Sequence, residues 1–305
     1  MLIYDFIIHM GFPKCGSTNL QRHLYTNRSW LAQKGFVYPS KVKARHEPKH
    51  QHLVNDLFGA GLNIEEIELY RRQNTTTILS SEGLLNHLYE YPAENLQAAA
   101  RYFSQHNTVG LIVRRSPEGW ILSYYCQCVL NPPSRYADRY ATALPFEQFT
   151  KLESVCRLAD HEAIVGDACH AYGASKIVEL DLSENLLADI HDALGIPVPE
   201  GMKWSSVNAS PPQHVVEMAR QINCLEIERS RRSLCIRLLL DWAGKRNTAH
   251  EELGSIELDK TTVHFISRAF DCLEPSRHDP FFLELKHINS FQSWLRSRIG
   301  SAHRG

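Results

Sequence analysis

Residues 4–26 read YDFIIHMGFPKCGSTNLQRHLYT, and no other segment constrains the architecture so strongly. The apolar run 4–9 stops close to a glycine, which is typical of a buried β-strand. A helical pattern begins around Ser17. Between the two lie residues 11–18, GFPKCGST, with two glycines and one lysine. The order of strand, glycine-containing loop and helix predicts an α/β protein whose first turn binds an anion.

The rest of the chain continues the alternation of strand and helix. Apolar runs bounded by turn residues predict further strands at 76–80, 109–113 and 176–180. Helical patterns predict helices at 17–26, 64–73, 93–105, 118–129 and 184–194. This order predicts an α/β fold with a mostly parallel central sheet flanked by helices.

Residues 211–247 differ in composition and form one long helical tract, with apolar positions separated by many arginines and glutamates. We interpret this tract as a lid, an acceptor-binding surface or a dimer surface. The chain has 305 residues, enough to bury one sizeable core. We therefore expect a single domain over 1–305 with a helical subregion at 211–247, and a homo-oligomer remains open.

Composition excludes several classes of function. The 33 Lys and Arg balance 34 Asp and Glu, so no global field draws the chain to nucleic acid or to an anionic membrane. Residues 2–10 are too short to span a bilayer and lack a basic leader, so we expect no transmembrane segment and a cytoplasmic location. Eight cysteines without a metal-like spacing predict reduced thiols and no metal site.

The loop 11–18 has the features that hold a phosphate group. Its glycines let the backbone approach a ligand closely. The first amides of the following helix have no intrahelical acceptor, and the helix dipole favours an anion there. Lys14 adds positive charge, while Ser17 and Thr18 add hydroxyl donors. The alternative is a tight strand-to-helix turn with a solvated lysine.

The loop differs from that of an ordinary nucleotide kinase. Its two glycines have the spacing of a Walker A loop, but Ser17 stands where the Walker lysine would follow. The second predicted strand ends in Ser80-Ser81-Glu82, where a nucleoside triphosphatase would need an aspartate that binds magnesium. These departures favour a phosphate ligand handled without the Walker machinery.

Residues 13–18, PKCGST, resemble the 5'-phosphosulfate-binding loop of the sulfotransferases of bacterial type that use 3'-phosphoadenosine 5'-phosphosulfate (PAPS). That loop is usually written PKxGTT or PKSGTT, so Cys15 and Ser17 are mild departures. The resemblance implies a P-loop NTPase-like sulfotransferase fold, PAPS as donor and 3'-phosphoadenosine 5'-phosphate as product. It implies that Lys14 binds the 5'-phosphate and the bridging oxygen and so takes part in catalysis. The implied nucleotide-binding residues of the loop are Pro13, Lys14, Cys15, Gly16, Ser17 and Thr18.

The same family has a second element for the 3'-phosphate, an arginine at a strand end followed eight residues later by a serine. Arg115 and Ser123 match that spacing. An arginine can fork onto phosphate oxygens, and a serine two turns into the helix can reach the same group. Arg114 remains an alternative, because neighbouring strand residues point to opposite faces. Structural ion pairs are the other explanation for the two arginines. The resemblance covers residues 4–225.

Sulfonyl transfer needs positioning, charge neutralisation and a base that takes the acceptor proton. Glu82 is the first candidate base, since it follows the second strand at the expected sheet edge; several glycan sulfotransferases use Glu, whereas the cytosolic ones use His there. Glu82 can instead cap the following helix. His52 is the second candidate, in a polar segment with His46 and His50 that either lines the acceptor cleft or is solvated.

Two other functions fit parts of the same pattern. A nucleotide-dependent kinase would use the loop but needs magnesium ligands, and a non-catalytic nucleotide-binding module would bind without turnover. The residues do not identify the acceptor. The resemblance favours a carbohydrate hydroxyl or a glycolipid precursor, and a small-molecule acceptor with a hydroxyl or amine fits equally well. We expect no nucleic-acid partner.

Overall fold

The computed structural model describes residues 4–40, 48–197, 211–244, 260–278 and 280–302. Its central sheet has five strands: β1 (Phe6–His9), β2 (Phe36–Val37), β3 (Thr76–Ser80), β4 (Thr108–Arg114) and β5 (Lys176–Asp181). They lie in the order β2-β3-β1-β4-β5, and every neighbouring pair is parallel. The predicted α/β fold with a mostly parallel sheet is confirmed.

Helices connect the strands and continue to the end of the described chain. Up to β4 they are α1 (Ser17–Thr26), α2 (Arg28–Gln33), α3 (Gln51–Phe58), α4 (Ile64–Tyr70), α5 (Gly83–Asn86) and α6 (Ala93–Phe103). Then come α7 (Pro117–Leu130), α8 (Phe146–Phe149), α9 (Glu153–Ala159), α10 (His161–Ala171) and α11 (Leu186–Leu194). The last elements are α12 (Gln213–Asn223), α13 (Arg229–Trp242), α14 (Lys260–Asp271), β6 (Ser276–His278), β7 (Phe281–Leu283) and α15 (Leu285–Ala302).

The chain divides into two compact units. The first comprises Met1–Trp120 with Cys156–Asn208 and contains the five-stranded sheet; the second comprises Ile121–Val155 with Ala209–Gly305. The single domain expected from the sequence stays a prediction. No helix in the described part of the chain combines the length and apolar character that a membrane span requires.

Strand β1 is central in the sheet of the first unit. All four of its residues are buried, as a strand covered on both faces requires. Strands β2 and β3 lie on one side of it and β4 and β5 on the other, so the strand order reverses at β1. Open parallel sheets bind ligands outside the carboxyl ends of their strands at such a reversal. The loop that follows β1 therefore occupies the expected ligand position.

In the second unit, a buried ion pair fixes helix α12. The Glu217 carboxylate accepts two hydrogen bonds from Arg220, at 2.8 Å from Nε and 2.6 Å from Nη2. It also accepts a bond of 2.6 Å from Ser276 Oγ in β6. Strands β6 and β7 pair antiparallel, and α12 packs against β7. The tract expected as one long helix at 211–247 is two helices, α12 and α13, and residues 245–247 lie outside the described residues.

Candidate active site

The carboxyl ends of three neighbouring strands bring the predicted site residues to one edge of the sheet. His9, the last residue of β1, is in register with Ser80 in β3 and with Leu111 in β4. The amide of Ser81 donates to the His9 carbonyl at 3.1 Å, so the chain leaves β3 beside the start of the loop. The loop, Glu82 and the end of β4 consequently lie at the same edge.

The loop between β1 and α1 turns through two residues in the left-handed region. Lys14 has φ 66° and Gly16 has φ 83°. Glycine adopts this conformation without strain, whereas a side chain costs about 1–2 kcal/mol there. Such strain at a non-glycine residue is characteristic of functional sites. Lys14 is the one residue of the loop with both a positive φ and a Cβ.

The N-cap residue of α1 provides no side-chain acceptor for the free backbone amides at the start of the helix. Gly16 occupies the N-cap position and has no side chain that could cap the helix, and the first turn contains no acidic residue. The helix has ten residues, so its dipole favours an anion at this end. An anionic ligand fits where a capping carboxylate or hydroxyl would otherwise stand.

Buried polar atoms without a hydrogen-bond partner lie beneath this loop. Ser17 Oγ and His9 Nε2 both lack a partner among the described residues. A Cβ placed on Gly11 would lie 2.3 Å from Ser17 Oγ and 2.8 Å from His9 Nε2, so these two groups pack directly against the glycine. One turn further along α1, Gln21 Nε2 is also buried and has no partner in the described part of the chain. A buried donor left unpaired costs about 1–3 kcal/mol, which a phosphate oxygen would offset at Ser17.

The apolar side chains of the loop, Phe12, Pro13 and Cys15, are buried and anchor it. Trp120 Nε1 on α7 donates to the Pro13 carbonyl at 3.1 Å. Phe12 packs against Trp120, at 5.9 Å between ring centroids, and against His161, at 4.4 Å. Cys15 is buried, and this burial raises the pKa of its thiol to about 12 against a smaller lowering by Arg115. Pro13 and Cys15 can therefore offer a ligand only their backbone.

The two arginines at the end of β4 have different surroundings. Arg114 Nη1 lies 2.9 Å from Glu179 Oε2, and its Nε lies 3.9 Å from Asp181 Oδ1, both on β5. Arg115 instead lies close enough to Cys15 to lower the pKa of that thiol. The structural ion pair considered from the sequence thus exists for Arg114, and Arg115 lies near Cys15 of the loop.

Glu82 follows β3 and lies near the same cysteine, whose pKa its carboxylate raises slightly after the larger effects of burial and Arg115. It is half-buried and stands at the N-cap of α5, but its side chain makes no capping hydrogen bond. The turn is fixed by other groups, since Tyr91 donates its hydroxyl to the Gly83 carbonyl at 2.8 Å. The carboxylate is therefore not committed to the helix that follows it.

The remaining predicted site residues are Ser123 and His52, and His46 neighbours His52 in the sequence. Ser123 is buried on α7 and belongs to the second unit, so its contact with a nucleotide stays a prediction. His52 is half-buried in the first turn of α3, its ring 5.7 Å edge-on from that of His50. His46 lies outside the described residues. No cluster of three or more potential metal ligands occurs in the described ranges.

A network of buried hydrogen bonds links the ends of β1 and β3 to the segment before α3, and the sequence analysis did not predict it. His50 Nε2 donates to the Pro39 carbonyl at 2.8 Å, and its Nδ1 accepts from the Ser80 amide at 2.8 Å. The Ser80 hydroxyl lies 2.7 Å from His9 Nδ1 and also bonds Tyr38, whose own hydroxyl donates to a backbone carbonyl. Burial lowers the pKa of His9 and of His50 to about 4, so both rings are neutral at pH 7. The local signals were a histidine within the apolar run before the loop and the polar segment with His50, which is buried and not solvated.

Comparison with known proteins adds little to this geometry. No protein-family profile matches the chain, and no curated protein matches it. A crystal structure of a sulfotransferase from Alicyclobacillus acidocaldarius matches with a TM-score of 0.38 and 17% sequence identity, covering 82% of this chain and 99% of that chain. A likeness of this degree assigns no activity, so function has to be argued from the residues themselves.

Proposed function

We propose that the chain is a sulfotransferase that moves a sulfonyl group from PAPS to a hydroxyl or amine of an acceptor. The observation that carries the proposal is the loop between β1 and α1. It holds Lys14 at φ 66° beside a helix N-terminus whose N-cap is Gly16, and beside the Ser17 hydroxyl, which has no hydrogen-bond partner among the described residues. The charges of Arg115 and Glu82 both affect the pKa of the Cys15 thiol in that loop, so a cation and a carboxylate lie beside the loop.

The residues at this edge fit a phosphosulfate. The amides of Gly16, Ser17 and Thr18 and the Ser17 hydroxyl would hold the 5'-phosphate, where the helix dipole favours negative charge. Lys14 would neutralise the charge that develops on the bridging oxygen. Arg115 would bind the 3'-phosphate, because Arg114 is already paired with Glu179.

The reaction is a displacement at sulfur. The acceptor oxygen bonds to sulfur as the bond between sulfur and the bridging oxygen breaks, and the electron pair of that bond stays on the leaving 5'-phosphate. The acceptor proton passes to the Glu82 carboxylate, which no capping bond occupies. His52 is the second candidate base. We propose a carbohydrate hydroxyl as acceptor.

Binding of the product tests the nucleotide site without any knowledge of the acceptor. Calorimetry with 3'-phosphoadenosine 5'-phosphate, without magnesium, should give binding in the wild type that Lys14→Ala and Arg115→Ala each weaken by about 1–3 kcal/mol, roughly 5- to 150-fold. Arg114→Ala is the matched control and should leave the dissociation constant within about twofold, since its charge faces β5. An effect at Arg114 and none at Arg115 would exchange their roles. Binding of ATP with magnesium instead would support the kinase.

Turnover separates the enzyme from a binding module. With an acceptor found by screening, Glu82→Gln should lower kcat by about 10²- to 10⁴-fold, the usual contribution of a general base, and leave product binding unchanged. His52→Gln should have a much smaller effect. Nucleotide binding without turnover on any acceptor would favour a non-catalytic module.

A further inference from the structure

The second unit contains a cavity of 590 Å³ whose lining residues have no role in the proposed nucleotide site. It lies between the loop that follows α7 and the first residue of α13. Its polar lining includes Asn131, Ser134, Arg135, Tyr136, Tyr140 and Arg229. The volume is within the range of about 300–1,000 Å³ that is usual for small-molecule sites.

The charged residues that line this cavity are all positive. Two arginines line it, Arg135 and Arg229, and none of its lining residues is acidic. Within the described ranges neither arginine forms an ion pair with a carboxylate. Two unneutralised guanidinium groups around one cavity favour an anionic ligand, because arginine binds carboxylate and sulfate oxygens through paired hydrogen bonds.

A third arginine lies behind the wall. Arg232 is only 5% exposed, and it donates to Asn223 Oδ1 at 2.7 Å and to the Asn131 carbonyl at 2.9 Å. Both acceptors are neutral and no carboxylate in the described ranges pairs with Arg232, and burial together with Arg229 lowers its pKa to about 10. Arg232 thus holds the loop at Asn131 in place and adds positive potential, which an anion in the cavity would offset.

Aromatic hydroxyls complete the lining. The Arg135 guanidinium lies over the Tyr136 ring, 4.5 Å from its centroid, and donates to the Tyr136 hydroxyl. Tyr140 precedes Ala141, which has a φ of 58°. The Ala141 amide donates a hydrogen bond of 2.7 Å to the Cys128 carbonyl, and this bond fixes the end of the loop. Tyrosines offer a flat apolar face and a hydroxyl together, which suits a sugar ring.

We propose that this cavity binds an acidic sugar, with the carboxylate or sulfate group of the sugar between Arg135 and Arg229. The inference goes beyond the proposed function and does not depend on it, because all the lining residues belong to the second unit. The binding of the sugar itself depends only on residues of the second unit.

The test is ligand-observed NMR on the full chain, titrated with glucuronate, with glucose and with inorganic sulfate. Glucuronate should give saturation transfer in the wild type, and glucose should give at least tenfold weaker binding. The double variant Arg135→Gln/Arg229→Gln should lose glucuronate binding at least tenfold. Arg231→Gln removes a charge from an exposed position on the same helix that does not line the cavity, and it should bind like the wild type.

Three outcomes would overturn the inference: equal binding of glucose and glucuronate, glucuronate binding that survives the double variant, or a loss equally large in Arg231→Gln. Displacement of glucuronate by sulfate at equal concentration would reduce the site to one for simple anions and exclude a sugar site. Both substituted arginines are exposed, and thermal unfolding checks that the double variant folds. Binding of 3'-phosphoadenosine 5'-phosphate to the same double variant is measured in parallel. Failure of the wild type to bind the nucleotide, with glucuronate binding intact, would refute the proposed function and leave the sugar site standing.

Discussion

The left-handed backbone conformation of Lys14 predicts that two substitutions at this position differ in stability but not in ligand affinity. At φ 66° a residue with a Cβ is strained by about 1–2 kcal/mol relative to glycine. Lys14→Ala keeps that strain, whereas Lys14→Gly relieves it. Glycine also gains entropy in the unfolded chain, which offsets part of the relief. The glycine variant should therefore be about 1 kcal/mol more stable than the alanine variant.

Both variants lose the ammonium group, so both should bind 3'-phosphoadenosine 5'-phosphate more weakly by the same factor, on the order of 10- to 100-fold for a charge-assisted bond of about 1.5–3 kcal/mol. Urea unfolding gives the stability difference, and calorimetry gives the binding difference. Lys14→Arg is the control, since it keeps the charge, the Cβ and the wild-type stability. The reasoning is refuted when the glycine variant is no more stable than the alanine variant, or when the two differ in affinity.

Three further predictions concern the same edge of the sheet. Gly11→Ala should lower the free energy of unfolding by about 1–3 kcal/mol, because the new Cβ would lie 2.3 Å from Ser17 Oγ. Measured by urea unfolding, the loss should be smaller in a Ser17→Gly background. Equal losses in the two backgrounds would contradict the proposed clash. The pKa of His9 is about 4 in the folded chain against 6.5 unfolded, so its contribution to stability is complete above pH 6.5 and is lost as the pH falls toward 4. Between pH 7 and pH 5 the unfolding free energy should consequently fall by about 2 kcal/mol less in His9→Gln than in the wild type, and identical pH profiles would rule out this histidine as the source. Iodoacetamide should leave Cys15 unmodified in the folded chain at pH 8, because burial raises the pKa of its thiol to about 12, while the exposed Cys156 reacts; peptide mass spectrometry reads both, and rapid labelling of Cys15 would show that the loop opens.

Local patterns were sufficient for the elements that form the edge. The predicted helix 17–26 has the bounds of α1, and the predicted strand 76–80 has those of β3. Each is a continuous run with a glycine or turn residue at its end, so the signal lies within a few neighbouring residues. Strand β2 has only two residues, too few for any periodicity, and was missed for that reason.

Contacts between distant residues could not be predicted in the same way. The partner of Arg114 depends on the pairing of β4 with β5, which sets Arg114 opposite Asp181 and brings its Nη1 within 2.9 Å of Glu179 Oε2. The network of His9, His50 and Ser80 joins positions up to 71 residues apart, which no local pattern reports.

The order of residues along the chain alone determined that a strand, a glycine-containing loop with one lysine and a helix follow one another, because backbone conformation and helix ends depend on near neighbours. It also placed Glu82 and Arg115 at strand ends. The tertiary structure alone decided which charges meet. Packing turned Arg114 to Glu179, left Arg115 near Cys15 and buried the Cys15 thiol, and among the described residues it left Ser17 Oγ without a partner. These outcomes depend on distances across the sheet, and such distances exist only once the strands have paired.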